Sequence, residues 1–283
     1  MRILVSMDLE GMPGISSVAQ LAPKRALYED ARRIMTKIAS FVGNVLKDLG
    51  VDEVVIADAH GYMVNVIYDE LPPGITLVSG FPRPLSMVAP IDKYRFDGAI
   101  FLGYHNAVGT PYAIFDHTYS GRVFRSVKIN GYEVAEYEVN TYILGEFDVP
   151  VILVSGDSTL RDRVGRLTPW AVFISFKESL SRYSAVSKPL NKILDELKRG
   201  IEESINRLRN GDVKVVKIKK PIELELTFSE SSFADLASLV PGAKRISGVT
   251  VKYRLSKAID IWKVLDLTLF ASLGLDYINQ ALR

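Results

Sequence analysis

The chain contains no cysteine. Disulfides and thiolate ligation are therefore excluded, and any bound metal must be held by nitrogen and oxygen. An excess of one charge is also missing: 35 Lys and Arg stand against 33 Asp and Glu, a formal net charge of +2. That balance gives no general attraction to nucleic acid or to an anionic membrane surface. No uninterrupted apolar run reaches the roughly 18 residues of a membrane span, and the run after Arg2 is too short for a signal peptide. A cytoplasmic protein without nucleic-acid or membrane partners is expected. Glutamine occurs only at Gln20 and Gln280, a scarcity of thermolabile side chains that fits a thermophilic source. There is no repeat, no Ser/Pro-rich linker and no G-x-x-x-x-G-K-[ST] phosphate loop. Histidine is scarce too: His60, His105 and His117 are the full set.

What is present is a large apolar core. The 283 residues are 48% apolar, enough for one large domain or two smaller ones. Arg2 to Met7 reads as a buried strand that ends in Asp8-Leu9-Glu10 and a turn marked by Gly11, Pro13 and Gly14. Apolar residues from Ala26 to Leu46, spaced by three and four, predict a long amphipathic helix closing at Gly50. Val51 to Ala57 predicts a second buried strand, so strand, helix and strand form a right-handed βαβ unit with a parallel pair.

Further strands are expected at Ile75 to Ser79, Phe96 to His105, Val151 to Ser155 and Trp170 to Phe176. Asn65 to Leu71 reads as a short helix. Asn130-Gly131 between apolar segments is a strong hairpin signal, and a helix over Tyr137 to Phe147 follows. A helical stripe runs from Leu190 to Leu208. The tail alternates strands (Val213 to Ile218, Ile222 to Phe228, Val249 to Leu255) with helices (Ser232 to Leu239, Lys257 to Ala281). The fold class is α/β, a largely parallel sheet flanked by helices with a smaller α/β C-terminal subdomain. The expected division is 1–170 for a metal-binding catalytic domain and 171–283 for the subdomain, unless the two are one continuous domain.

In such sheets, ligands bind beyond the carboxyl ends of the strands, where Asp8 and Glu10 emerge. Two carboxylates so close repel unless a cation or proton lies between them. His60 and His105 follow parallel strands, and His117 lies in the loop after the second. One buried histidine is usually a satisfied core residue; three on the edge that carries Asp-x-Glu point to a metal site. Imidazole with carboxylate suits Zn²⁺, with Mn²⁺ or Co²⁺ as substitutes. Asp8, Glu10, His60, His105 and Glu136 suffice for two ions if one carboxylate bridges. Two ions about 3.5–4 Å apart can hold a bridging hydroxide and polarise a carbonyl. His117 is then left for proton transfer or for the oxyanion. Glu133 and Glu138 are the alternatives to Glu136. Asp58 is a candidate to orient a histidine or cap a turn, and Asp157 to bind an ammonium or cap a helix. Lys177 is a candidate to contact a substrate carboxylate, though an exposed strand-end lysine is the commoner case, and Tyr104 and Tyr112 are candidate pocket residues, though such positions more often only pack.

The blocks SMDLEGMPGI, ADAHGYM, FLGYHNAVGTPYAIFDHTYSG and INGYEVAEYEVNTYILGEFDVPVILVSGD, with KESLSRYSA and FADLASLVPGAKRISG later, are similar to the zinc-dependent D-aminopeptidases related to a bacterial dipeptide-transport-associated enzyme. The resemblance covers nearly the whole chain, and the blocks are jointly specific. It implies a binuclear zinc site, with Asp8 bridging, Glu10 and His60 completing one ion, and His105 and Glu136 the other. His117 matches the proposed catalytic histidine. It also implies a homodecamer of two stacked pentameric rings acting on short peptides or aminoacyl amides, with a D-residue at the N-terminus among the options. The loop between His105 and His117 is one residue longer than the family pattern, which leaves the placement of His117 to the structure. Two other readings stand beside this one: a metal-dependent phosphoesterase, and a non-catalytic metal-binding ring scaffold.

Overall fold

The computed structural model describes residues 1–282. Strand β1 (Arg2–Met7) is buried from Ile3 onward, as its unbroken apolar run predicts. Helix α1 (Tyr28–Asp48) follows, then β2 (Glu53–Asp58) and β3 (Ile75–Val78). Next come β4 (Gly98–Tyr104), the hairpin β5 (Phe124–Ile129) and β6 (Tyr132–Glu133), helix α2 (Glu136–Glu146) and β7 (Val151–Asp157). Then follow α3 (Arg161–Leu167), β8 (Val172–Ser181), β9 (Ser184–Ser187) and α4 (Leu190–Asn210). The remaining elements are β10 (Ile222–Phe228), α5 (Ser231–Ala237), β11 (Lys244–Arg245), β12 (Thr250–Leu255) and α6 (Ile259–Ala281).

The main sheet has the order β3-β2-β1-β4-β7-β8-β9 and is parallel except for β9, which pairs antiparallel with β8. The chain leaves β1 on one side for β2 and β3, then crosses to the other side for β4. That reversal opens a crevice at the carboxyl edge between β1 and its neighbours, the usual ligand position in an open parallel sheet. A second sheet, β11-β12-β10-β5-β6, is antiparallel. Sheet membership crosses residue 170 in both directions: the hairpin over 124–133 belongs to the second sheet, and β8 and β9 complete the first.

Alternation along β1 feeds two cores. Ile3, Val5 and Met7 pack with α1 and α4, whereas Leu4 joins a larger core shared with α2, the second sheet and α6. The buried stripe of α1 is Ala31, Met35, Ile38, Ala39, Val42, Val45 and Leu46, the spacing read from the sequence. Each large aliphatic side chain buried there contributes about 1.5–3 kcal/mol.

Two expected elements are absent. Asn65 to Leu71 forms only a single 3-10 turn at Tyr68–Glu70, because Asp58 takes the backbone N–H groups of Asn65 and Val66 and Pro72-Pro73 follows. Val213 to Ile218 pairs with no strand. It lies instead on α2 at Gly145, where a Cβ would collide with the Val216 carbonyl and where Lys217 Nζ donates to the Gly145 carbonyl at 2.6 Å. Among the described residues, no helix is long and apolar enough to cross a membrane.

Candidate metal centre

The Asp-x-Glu turn is laid against the end of β4 by main-chain bonds. The Asp8 N–H donates to the Leu102 carbonyl at 2.8 Å, and the Gly11 N–H to the Gly103 carbonyl at 2.7 Å. A Cβ on Gly11 would collide with the carbonyls of Gly103 and Tyr104, so this approach requires glycine. Two strands beyond β4 in the sheet, β8 delivers Lys177, only 1% exposed, whose Nζ donates to the Glu10 carbonyl and, at 2.5 Å, to the Ile15 carbonyl. Burial pulls its ammonium down to about 7, against the opposing charges of Asp157, Glu10 and Asp8. The sequence assigned Lys177 to solvent or to a substrate carboxylate; instead it is a buried clamp on the acidic turn.

Replacing the clamp should loosen that turn. Lys177→Met leaves two carbonyls without their donor, at roughly 1–3 kcal/mol each. The expected result is a lower urea midpoint in the metal-free protein, together with weaker uptake of a divalent ion. An unchanged midpoint and unchanged uptake would refute the clamp.

His60 follows β2 and is positioned by Asp58. The Asp58 carboxylate accepts from the backbone of Asn65 and Val66 and from Asn65 Nδ2 at 2.7 Å, while the same Nδ2 donates to the His60 carbonyl at 2.8 Å. Asp58 therefore shapes the loop that carries His60 rather than bonding its ring. Arg83 adds a bond to the Asp58 carbonyl at 2.5 Å, a contribution with no local sequence signal. His105 leaves β4 directly. His117 is held through its neighbours: Asp116 accepts from the Gly109 N–H at 2.7 Å and pairs with Arg182, and Thr118 Oγ1 donates to the Val134 carbonyl at 2.9 Å. That last bond ties the loop to the hairpin preceding Glu136.

Glu136 is the first residue of α2, one position earlier than the sequence suggests, and its Oε1 accepts from the Tyr119 N–H at 2.6 Å. Its two rivals go elsewhere. Glu133 is exposed on β6. Glu138 is buried rather than solvated, paired with Arg163 at 2.8 Å and accepting from the Ala135 N–H. Asp157 stands at the N-cap position of a 3-10 turn, but its side chain makes no capping bond; it is fully buried and accepts from Thr159 and Ser179. Tyr104 is core, bonded to Ser6 and Asn140, and Tyr112 is 75% exposed.

Three ligand groups converge within bonding reach of a cation: Asp8, Glu10 and His60; Asp8, His105 and Glu136; and Glu10, His105 and His117. Asp8 faces both of the first two. Its Oδ1 is 3.5 Å from His60 Nδ1, and its Oδ2 is 3.4 Å from His105 Nε2. Glu10 Oε2 is 2.6 Å from His60 Nδ1, and Glu136 Oε2 is 3.6 Å from His105 Nε2. Each histidine gives its remote ring nitrogen to a main-chain carbonyl: His60 Nε2 to Leu21 at 2.6 Å, His105 Nδ1 to Asn106 at 3.0 Å, His117 Nδ1 to Phe115 at 2.7 Å. Those bonds place the N–H on the far side of each ring and turn a lone pair toward the carboxylates, the usual arrangement of histidines that bind metal.

Lone pairs then face lone pairs. Asp8 Oδ2, Glu10 Oε2 and His105 Nε2 are buried without any hydrogen-bond partner, a costly state that a cation resolves. The residues present therefore fit a divalent ion. Without one, protons must serve. Burial pushes the Asp8 carboxyl well above the usual range, with Glu10 adding to it. Burial opposes charge on Glu10 and Glu136 too, but the adjacent imidazoles outweigh it and hold both low. Burial likewise opposes charge on the histidines, yet Glu10 carries His60 well up and Glu136 carries His105 to about 10. His117 moves the other way, lowered by burial and by His105, whose ring stacks on it with centroids 4.4 Å apart. His117 Nε2 stands 3.6 Å from Glu136 Oε1 and 3.9 Å from Glu10 Oε1.

A cavity of about 260 Å³ opens over this cluster. Much of its lining is apolar: Met63, Phe81 and Met87, with Leu269, Phe270 and Leu273 of α6. Among the described residues, Asp266 of α6 is the one lining carboxylate outside the cluster, and burial pushes it up to about 6 while the Trp262 N–H opposes this.

With this geometry, the likeness to known proteins is specific. Residues 1–267 match the family described as D-aminopeptidase. A D-aminopeptidase of Bacillus subtilis (strain 168) is 33% identical over 255 residues, 88% of this chain and 89% of the relative. A solved structure described as "Zn-dependent D-aminopeptidase DppA from Bacillus subtilis, a self-compartmentalizing protease" superposes with a TM-score of 0.87 at 29% identity. That comparison covers 95% of this chain and 97% of the other. The match spans every strand that ends at the acidic cluster, and on it the chain belongs to the D-aminopeptidase family.

Proposed function

We propose that this chain is a zinc-dependent aminopeptidase of the cytoplasm that removes the N-terminal residue of short peptides or aminoacyl amides. The observation that carries the reading is Asp8, whose two oxygens face two different ligand sets. On this reading Glu10 and His60 would hold one ion and His105 and Glu136 a second, with Asp8 available to both. When bound, such a pair polarises a carbonyl and lowers the pKa of water.

The remaining chemistry belongs to the side chains. Hydrolysis adds water to the carbonyl carbon and breaks the C–N bond, and the leaving amine needs one proton. His117 is the histidine outside both Asp8 groups, and Phe115 fixes its N–H so that Nε2 faces the reacting region. It is positioned to take a proton at Nε2 and return it to the amine. The apolar lining of the cavity suits the N-terminal side chain. A phosphate ester finds no Lys or Arg lining that cavity among the described residues, which weighs against the phosphoesterase reading. Ring assembly as two stacked pentamers is part of the proposal, supported by the self-compartmentalizing relative. Light scattering that gives only the 31.5 kDa chain would refute it.

The reading predicts release of the N-terminal residue from D- or L-aminoacyl p-nitroanilides and dipeptides, lost with chelator and restored by Zn²⁺, Mn²⁺ or Co²⁺. No turnover on any member of such a panel, with the metal content verified, would sink it.

A further inference from the structure

The cavity over the cluster is lopsided in charge, and the asymmetry bears on how a substrate lies in it. Its volume of about 260 Å³ is below the roughly 300–1,000 Å³ of drug-sized ligand sites, which suits one residue and its scissile bond. Asp266 stands in the apolar wall. Its Oδ2 accepts from Trp262 Nε1 at 2.6 Å, one turn earlier on α6, and its Oδ1 has no hydrogen-bond partner among the described residues. Among the described residues, no Lys or Arg lines the cavity to neutralise it. The neighbouring cavity shares Glu10, His117, Tyr119 and Ser120 and carries Arg122 and Arg182, each with a carboxylate partner of its own. The nearby cations are thus already paired, whereas Asp266 is not.

We infer that Asp266 receives the α-ammonium of the substrate's N-terminal residue, whose side chain lies against Phe81, Met87, Leu269 and Phe270. An ammonium offers three donors, and a half-buried carboxylate with a free oxygen and no resident cation gains most from such a partner. The side-chain subsite is apolar and small, so short aliphatic residues fit it, and N-acylated peptides lose the anchor. The inference rests on the aminopeptidase reading and adds the residue that recognises the free N-terminus.

Two hydroxamates separate the contributions, because both chelate the metal but only one carries an ammonium. The zinc-loaded protein should bind D-alanine hydroxamate more tightly than propionohydroxamate by roughly ten- to a hundredfold, the span of a hydrogen bond to a charged group. Asp266→Asn keeps an oxygen for Trp262 and removes the charge. It should erase that preference while binding propionohydroxamate as the unaltered protein does, and Asp266→Glu should recover part of it. KM for D-alanyl p-nitroanilide should rise by the same factor in Asp266→Asn, with kcat moving less. A preference that survives Asp266→Asn, or a loss of propionohydroxamate binding as well, would overturn the assignment. An unaltered protein that hydrolyses no aminoacyl anilide would instead overturn the aminopeptidase reading beneath it.

Discussion

His117→Ala should lower kcat by roughly 10²–10⁴, the span of a single general acid–base group, while both metal ions and the fold remain. The ring is tied to the protein by one bond, Nδ1 to the Phe115 carbonyl, and by stacking on His105, so its removal leaves the Asp8 groups untouched. KM should move far less, because the proton is needed chiefly in the transition state. The third cluster, in which His117 joins Glu10 and His105, makes the rival outcome specific. Loss of one ion in elemental analysis of the variant would move His117 into the metal shell. Full metal with near-normal kcat would remove it from catalysis.

Asp8→Ala should lose both ions, whereas His60→Ala and His105→Ala should each weaken mainly one. The asymmetry comes from geometry: Asp8 alone offers one oxygen to His60 and the other to His105. Stability supplies a second readout. A ligand at a hundred times its Kd stabilises the folded state by about 2.7 kcal/mol per site, so zinc should raise the melting temperature of the unaltered protein clearly. In Asp8→Ala that rise should vanish, while the metal-free variant loses nothing comparable, since burial already disfavours the Asp8 charge and Glu10 repels it. A variant that still takes up two ions under saturating zinc would end the bridging assignment.

The strands of the main sheet and the edge that carries the site were legible because buried parallel strands are written as unbroken apolar runs. The Arg2 to Met7 run is followed at once by the acidic turn, and both strand-end histidines sit where such runs stop. The segment at 213–218 misled because an apolar stretch that packs on a helix at a glycine has the composition of a strand. The short helix at 65–71 failed for another reason. Its first N–H groups are claimed by Asp58, a residue seven and eight positions back, and no periodicity records that claim.

The sequence by itself determined the ligand types: with no cysteine and three histidines, an N/O site near Asp8 and Glu10 was the remaining option. Tertiary structure decided the rest. Lys177 is 167 residues from Glu10 in the chain, and Asp266 lies on the last helix, far from every motif. Both act through contacts that exist only once β8 and α6 have packed. The orientation of each imidazole likewise depends on one main-chain carbonyl, of Leu21, Asn106 or Phe115. A backbone carbonyl carries no residue identity, so the chain positions that aim the ligands leave no mark in the sequence.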